Sequence, residues 1–459
     1  MHDDPQSARE ERTISRWTRS QAAAIRRSEE TLAPVVYPPA EDIDPDVHVW
    51  DTWLLRNRDG TIAEIDGYRV IFSLTAPADL LPGKRHDVAT IRYFYSRDGR
   101  EWTCGGPVFE ESAEQRSAGS RTESGDSVPF GSRQWAGSAL YDRRGGVADD
   151  DEDGQLYLYY TASGTRDETD LTYTQRLAVG SGGTIETDDD GLEISGPFDH
   201  EILLEPDGTE YEREEQSRGM IYTFRDPWFF EDPQTGETCL LFEANTPVPD
   251  PELESDRYDA DPEHLDFNGS VGIAVSPSGD PTEWELESPI LEGVGTNQEL
   301  ERPHLVVQNG RYYLFLSSHE HTFAEGLEGY DALYGFVADS LRGEYVPLNE
   351  SGLVLTNPES APFQTYSWLA YPHREEILVS SFFNYYDLRG LSLDDVAHLP
   401  DDEQQRRFGG TLAPTVRLGV DGTETRVLGV LDHGHLPLPR ENLPTLFSSY
   451  RGGDGGGEY

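Results

Sequence analysis

Three carboxylates stand in stretches whose neighbours suit chemistry. Asp51 lies between two indoles in Val49-Trp50-Asp51-Thr52-Trp53, Asp226 lies in Phe224-Arg225-Asp226-Pro227, and Glu301 lies in Glu299-Leu300-Glu301-Arg302-Pro303-His304. A carboxylate attacks an anomeric carbon when a second acid protonates the leaving oxygen, so two acids suffice to form and release a covalent glycosyl intermediate. Indole faces pack on sugar C–H surfaces. Asp226 and Glu301 each adjoin an arginine and a turn-closing proline, and a neighbouring guanidinium holds a carboxylate ionised or orients it toward a hydroxyl. Taken singly, each stretch also fits a strand end with core tryptophans, or a surface ion pair beside a loop proline. The three together are far more specific.

Elements far apart in the chain must bring these acids together. From about residue 66 short aromatic and β-branched runs recur between Gly, Asp, Pro and Asn, among them 67–74, 90–96, 155–160, 238–242, 270–275, 311–316 and 377–382. Such runs fit a sandwich, a barrel or a propeller. A Gly-containing turn before an aromatic strand returns at Gly67-Tyr68, Gly154-Gln155-Leu156-Tyr157 and Gly310-Arg311-Tyr312-Tyr313, which favours radial repetition. The spacing of Thr18 and Gln21 is that of a capping box, so a short helix is predicted after Ser15-Arg16-Trp17. No helical period of comparable length follows. Residues 1–12 are polar and 451–459 rich in glycine, so both ends are expected to be disordered around one domain over 13–450. Loops at 111–133 and 247–266 are acidic and expected to be solvated.

Of the 459 residues, 87 are acidic and 36 basic, for a formal charge of −51, and Lys84 is the only lysine. In dilute salt this surface repels itself; at molar salt the Debye length shrinks to about 3 Å. A halophilic source is expected, and an aromatic content of 11% argues for a packed core over acidic disorder. Nucleic acid and anionic membranes are repelled by such a surface, whereas a neutral substrate is not. No run reaches the roughly 18 apolar residues of a membrane span, and the N-terminus lacks a signal-type apolar stretch. Two cysteines, Cys104 and Cys239, make neither a zinc site nor a disulfide framework. Asp149, Asp151, Asp153 and Gly154 imitate the start of an EF-hand loop, but the twelfth position is Tyr160 and no helices flank it.

The set Trp50-Asp51-Thr52-Trp53, Arg225-Asp226-Pro227 and Glu301-Arg302-Pro303 resembles the levansucrases and inulosucrases, the fructosyltransferases of glycoside hydrolase family 68. Supporting stretches run nearly the whole chain: Ser15 to Gln21, Trp135 to Ser138, Phe242 to Thr246, Ser318 to Ala324, Tyr334 to Val337 and Thr365 to Ser367. The resemblance implies an all-β, five-bladed β-propeller with an axial pocket. It implies Asp51 as nucleophile, Asp226 as transition-state stabiliser and Glu301 as general acid/base. Trp50, Trp135, Arg225, Glu299 and Tyr366 are implied in the sucrose site, Arg302 beside Glu301, and His319 on the acceptor side. Leu54 and Ala136 depart from the family pattern without removing a reacting group. Relatives that hold a structural calcium use an aspartate where this chain has Gln298, so that ligand is missing here.

The expected reaction is retaining fructosyl transfer from sucrose to a fructan, an oligosaccharide or water, by a monomer and with no metal or organic cofactor. Asp51 and Glu301 should then lie roughly 5 to 5.5 Å apart. Inulin linkage is slightly favoured over levan. A hydrolase on the same architecture is the nearest rival, although the Asn-Asp-Pro-Asn-Gly and Glu-Cys motifs of family 32 invertases are absent. A non-catalytic sugar-binding propeller is the rival from another class. Polymer synthesis implies export, for which the N-terminus offers no visible signal.

Overall fold

The computed structural model describes residues 14–38, 42–109, 129–145, 154–166, 168–248, 258 and 260–443. Both expected disordered ends and the EF-hand-like aspartates lie outside them, as do most of the two acidic loops. The strands form five blades around one axis. The innermost strands are Val47–Arg56, Arg133–Asp142, Phe224–Glu231, Glu301–Gln308 and Thr365–His373. Each starts an antiparallel meander running outward, as in Val47–Arg56, Arg69–Pro77, Thr90–Ser96 and Thr103–Pro107 of the first blade. Leu55 and Arg56 pair in parallel with Ala139 and Leu140, which joins the first two blades into one sheet.

Packing blade against blade covers both faces of a middle strand, so these strands read as continuous apolar runs instead of alternating ones. In Arg311–Ser318 every residue after Arg311 is buried. The recurring Gly turn is the hairpin between the first and second strands of a blade. Asn309 (φ 53°) and Gly310 (φ 77°) form a two-residue loop between the paired Gln308 and Arg311, the left-handed pair that a type I′ turn requires.

The capping-box helix is present over Arg19–Ala22, with Thr18 and Gln21 bonded reciprocally. Ser15–Arg16 adds a parallel strand to the outer edge of the third blade. Trp17 is buried edge-on to Phe323 and Phe336, and its indole N–H donates to Ser351 O at 3.0 Å. The N-terminal segment thus ties the third blade to the fourth, and truncating Trp17 to alanine should cost about 3–5 kcal/mol. Among the described residues, two further α-helices, Leu393–Ala397 and Asp401–Arg406, escape the sequence reading. They are too short for an apolar period, and only their acidic first turns and the Ser392 cap mark them. Cys104 and Cys239 are both free thiols. No helix among the described residues is long and apolar enough to cross a membrane.

Candidate active site

All five innermost strands slip register by one residue near their N-terminal ends: between Trp50 and Trp53, Trp135 and Gly137, Arg225 and Trp228, Glu301 and His304, and Tyr366 and Leu369. In four of them a non-glycine residue takes the left-handed conformation: Asp51 (φ 49°), Asp226 (φ 61°), Arg302 (φ 50°) and Ser367 (φ 58°). Each such residue costs about 1–3 kcal/mol, and only a surrounding structure that over-determines it maintains it. A bulge breaks the two-residue alternation and re-aims a side chain. Here it turns the acids toward the axis.

Asp51, Asp226 and Glu301 line one cavity of about 420 Å³, together with Trp135, Arg225, Glu299 and His319. Volume alone does not identify it. An equally large cavity between the outer strands of the first two blades holds a single acid, Glu193, and a histidine, His200, whose pKa burial pushes down to about 3. Three other predicted residues stand behind the cavity wall. Trp50 is fully buried against His86, with ring centroids 5.4 Å apart. Tyr366 donates its hydroxyl to Glu301 Oε2. Arg302 turns its guanidinium between blades, to Thr52 O at 2.7 Å and to Ser367 O and Oγ at 3.0 and 2.5 Å.

One guanidinium serves three glutamates. Arg225 Nε donates to Glu243 Oε2 at 2.7 Å, and Nη2 to Glu299 Oε1 at 2.8 Å and Glu301 Oε1 at 3.1 Å. Glu299, Glu301 and His319 bring ligand-type atoms within 4.8 Å of one another, but Arg225 already supplies the cation between the two glutamates. Asp226 accepts the Arg302 backbone N–H at 3.2 Å, while its own N–H donates to Thr161 Oγ1 at 2.9 Å. Gln298, at the relatives' calcium-ligand position, bonds Ile221 O and the Met220 N–H through its side-chain amide, and offers no carboxylate. A calcium at that position does not fit. His304 bridges Arg302 O and the Ala370 N–H, a structural role.

Burial raises the pKa of all three acids. Burial raises the pKa of Asp51, and Glu301 adds to the rise, but Arg302, a Ser367 hydrogen bond and Arg85 oppose it. Burial also raises Glu301, where Glu299 is the chief neighbour, against Arg225, His319 and Tyr366. Each acid thus has one carboxylate neighbour against two cations and one donor: Glu301 against Arg302, Arg85 and Ser367 at Asp51, and Glu299 against Arg225, His319 and Tyr366 at Glu301. A raised pKa keeps a carboxyl able to carry and donate a proton near neutral pH. Asp226 is raised to about 7 by burial, over the opposing charge of Arg225.

Several residues of the site carry no signal legible in the sequence. Arg85 and His86 arrive on the 3-10 helix Pro82–Val88, inserted between two strands of the first blade. His86 lines the cavity and is held neutral by burial and by Arg85. Glu243 and Ser367 lie in stretches that support the resemblance, but nothing in them shows the bonds to Arg225 and Arg302.

The family model for levansucrase/invertase, glycoside hydrolase family 68, matches residues 7–437. The chain belongs to that family. A levansucrase of Rahnella aquatilis is 33% identical over 93% of this chain and 97% of its own. An extracellular sucrase of Zymomonas mobilis is 34% identical over 92% and 95%. Among solved structures, the inulosucrase of Halalkalicoccus jeotgali bound to kestose is 64% identical, with a TM-score of 0.87 over 95% of this chain and all of that one. Its haloarchaeal source agrees with the halophilic character read from the acid excess. The five-bladed architecture is the family's own.

Proposed function

We propose that this fructansucrase cleaves sucrose and passes the fructosyl unit to a fructan, an oligosaccharide or water through a fructosyl-Asp51 ester. The observation that carries the reading is the meeting of Asp51, Asp226 and Glu301 in one cavity of small-molecule size, with Glu301 held by Arg225 and Tyr366 and raised toward its protonated form by burial. Glu301, protonated, gives its proton to the glycosidic oxygen as Asp51 attacks fructosyl C2. The C2–O bond breaks and glucose departs. Asp226 accepts hydrogen bonds from fructose hydroxyls that strengthen as positive charge develops on the ring. Glu301, now ionised, takes the proton of the acceptor hydroxyl, which attacks C2 and frees Asp51. Glu299 Oε2 is buried without a donor, and a sugar hydroxyl satisfies it. The 64% identity to an inulosucrase favours inulin linkage, attack by a fructosyl 1-hydroxyl.

Incubation with sucrose in molar salt, followed by product NMR, tests this. Glucose released in excess of fructose, with a 2,1-linked product, is expected. Equal release marks a hydrolase, and no release a sugar binder. Asp51→Ala and Glu301→Gln should each lower turnover by orders of magnitude in a folded protein; near-normal cleavage by either removes the mechanism.

A further inference from the structure

His319 stands at the cavity between two kinds of partner. On one side its Nδ1 meets Asp331 Oδ2 at 3.1 Å. Asp331 is buried, and its other oxygen is fixed by the Glu320 backbone N–H at 2.9 Å, so the carboxylate cannot swing away. On the other side the imidazole lies flat on Tyr366, with ring centroids 3.9 Å apart and planes within 13°. The Tyr366 hydroxyl donates to Glu301 Oε2. Asp331 thus connects to the Glu301 proton through one ring pair.

We propose that Asp331, which does not line the cavity, is a positioning residue that keeps His319 a standing cation, and that this cation sets how tightly Glu301 holds its proton. The proposal rests on the assignment of Glu301 as acid/base. A buried carboxylate against one ring nitrogen favours the imidazolium and fixes the ring's orientation. The imidazolium on the Tyr366 face polarises the phenol as a donor, and its own charge lies close to the Glu299 and Glu301 carboxylates. Both effects favour ionised Glu301, against burial and Glu299.

The other charged groups around His319 do not replace Asp331. Glu320 is raised by burial and by Asp331, against the charges of Arg27 and His319. His321, whose ring is 5.2 Å away, and His86 are both shifted toward the neutral form, and His319 contributes to each shift. Glu299 and Glu301 share Arg225. Among these groups only Asp331 combines contact with His319 and burial away from the substrate. Burial disfavours charge on His319, yet Asp331, Glu299 and Glu301 together raise its pKa to about 10.

The test is the pH profile of kcat/KM for sucrose, whose basic limb reports the proton on Glu301 in the free enzyme. Asp331→Asn keeps the acceptor for Glu320 and removes the charge. Losing the cation should raise the Glu301 pKa, so the basic limb should move up by about one unit. Adding His319→Arg to Asp331→Asn restores a permanent cation and should bring the limb back. A limb unmoved in folded Asp331→Asn, or moved but not returned by His319→Arg, overturns the proposal. If Asp331→Asn does not fold, His319→Gln removes the same cation, and an unmoved limb overturns the proposal equally. Active Glu301→Gln with its basic limb intact would instead remove the acid/base assignment itself.

Discussion

The two ends of the propeller axis are built from the same innermost strands and do opposite things. Toward the N-terminal ends of those strands, past the bulges, lies the polar cavity with its acids. Toward the other end lies a cavity of about 300 Å³ lined by Leu54, Trp228, Phe230, Leu305, Val306 and Tyr371. There the strands run in register. Arg56, nearly fully buried, lies over the Trp228 ring at 3.5 Å and donates to Phe229 O at 2.7 Å. Each end therefore holds an arginine, Arg225 half-buried and Arg56 buried, but Arg225 binds three carboxylates while Arg56 binds a ring and a carbonyl. One extra residue per strand separates the cavity proposed to do the chemistry from a surface that packs.

The sharpest test of this contrast is the loss of Arg225. Arg225→Met leaves Glu243, fully buried, without its cation, and Glu299 and Glu301 facing each other. Breaking a buried pair by removing one partner costs about 3–5 kcal/mol. A comparable drop in denaturant-unfolding free energy is expected, with kcat/KM for sucrose reduced by orders of magnitude. Glu243 is raised well above the usual carboxylate range by burial, with Arg225 the opposing influence. Removing that opposing influence raises the folded-state pKa further above the unfolded one, and such a group costs more stability as pH rises, so the loss relative to the parent should be smaller at pH 5 than at pH 8. Unchanged unfolding would show that Arg225 does not hold the acids in place.

A smaller effect is expected at the bulge itself. Ser367, left-handed at φ 58°, accepts from Arg302 and hydrogen-bonds Asp51. Ser367→Ala removes a group that holds the Asp51 pKa down. In the proposed mechanism Asp51 attacks as a carboxylate, so the acid limb of kcat/KM should move to higher pH, with activity at the optimum down by about tenfold, the worth of one hydrogen bond to a charged group. An acid limb in its original place would mean that the bulge positions Asp51 without tuning it.

How much of this was legible in the sequence follows the same division. The packed part announces itself: runs such as Arg311–Ser318 and turns such as Asn309-Gly310 are visible because burial on both faces and left-handed turns select residue types. The acids are visible because their neighbours, Trp50 and Trp53, Arg225 and Pro227, Arg302 and Pro303, are themselves unusual. The bulges are not. Asp51 and Asp226 are of a type that visits the left-handed region, but Arg302 and Ser367 are not and none of the four is glycine, so sterics leave only a faint mark on the chain. Arg85, His86 and Asp331 reach the site from segments outside the innermost strands, and only tertiary packing determines where those segments land.

The far end sets the lower bound of the comparison. Arg56→Met keeps an unbranched stem in the same space and puts a polarizable sulfur on the Trp228 face. It gives up the bond to Phe229 O and the cation–π contact. It also relieves the burial of a charge whose Nε has no hydrogen-bond partner and whose pKa burial lowers to about 9. These terms oppose one another, so unfolding free energy should change by no more than about 1 kcal/mol. The Met side chain reaches no reacting group, and kcat/KM for sucrose should stay within about twofold of the parent. A tenfold loss of activity at unchanged stability would break the division drawn here, because it would require a residue on the packed side of the bulges to act on the acids across them.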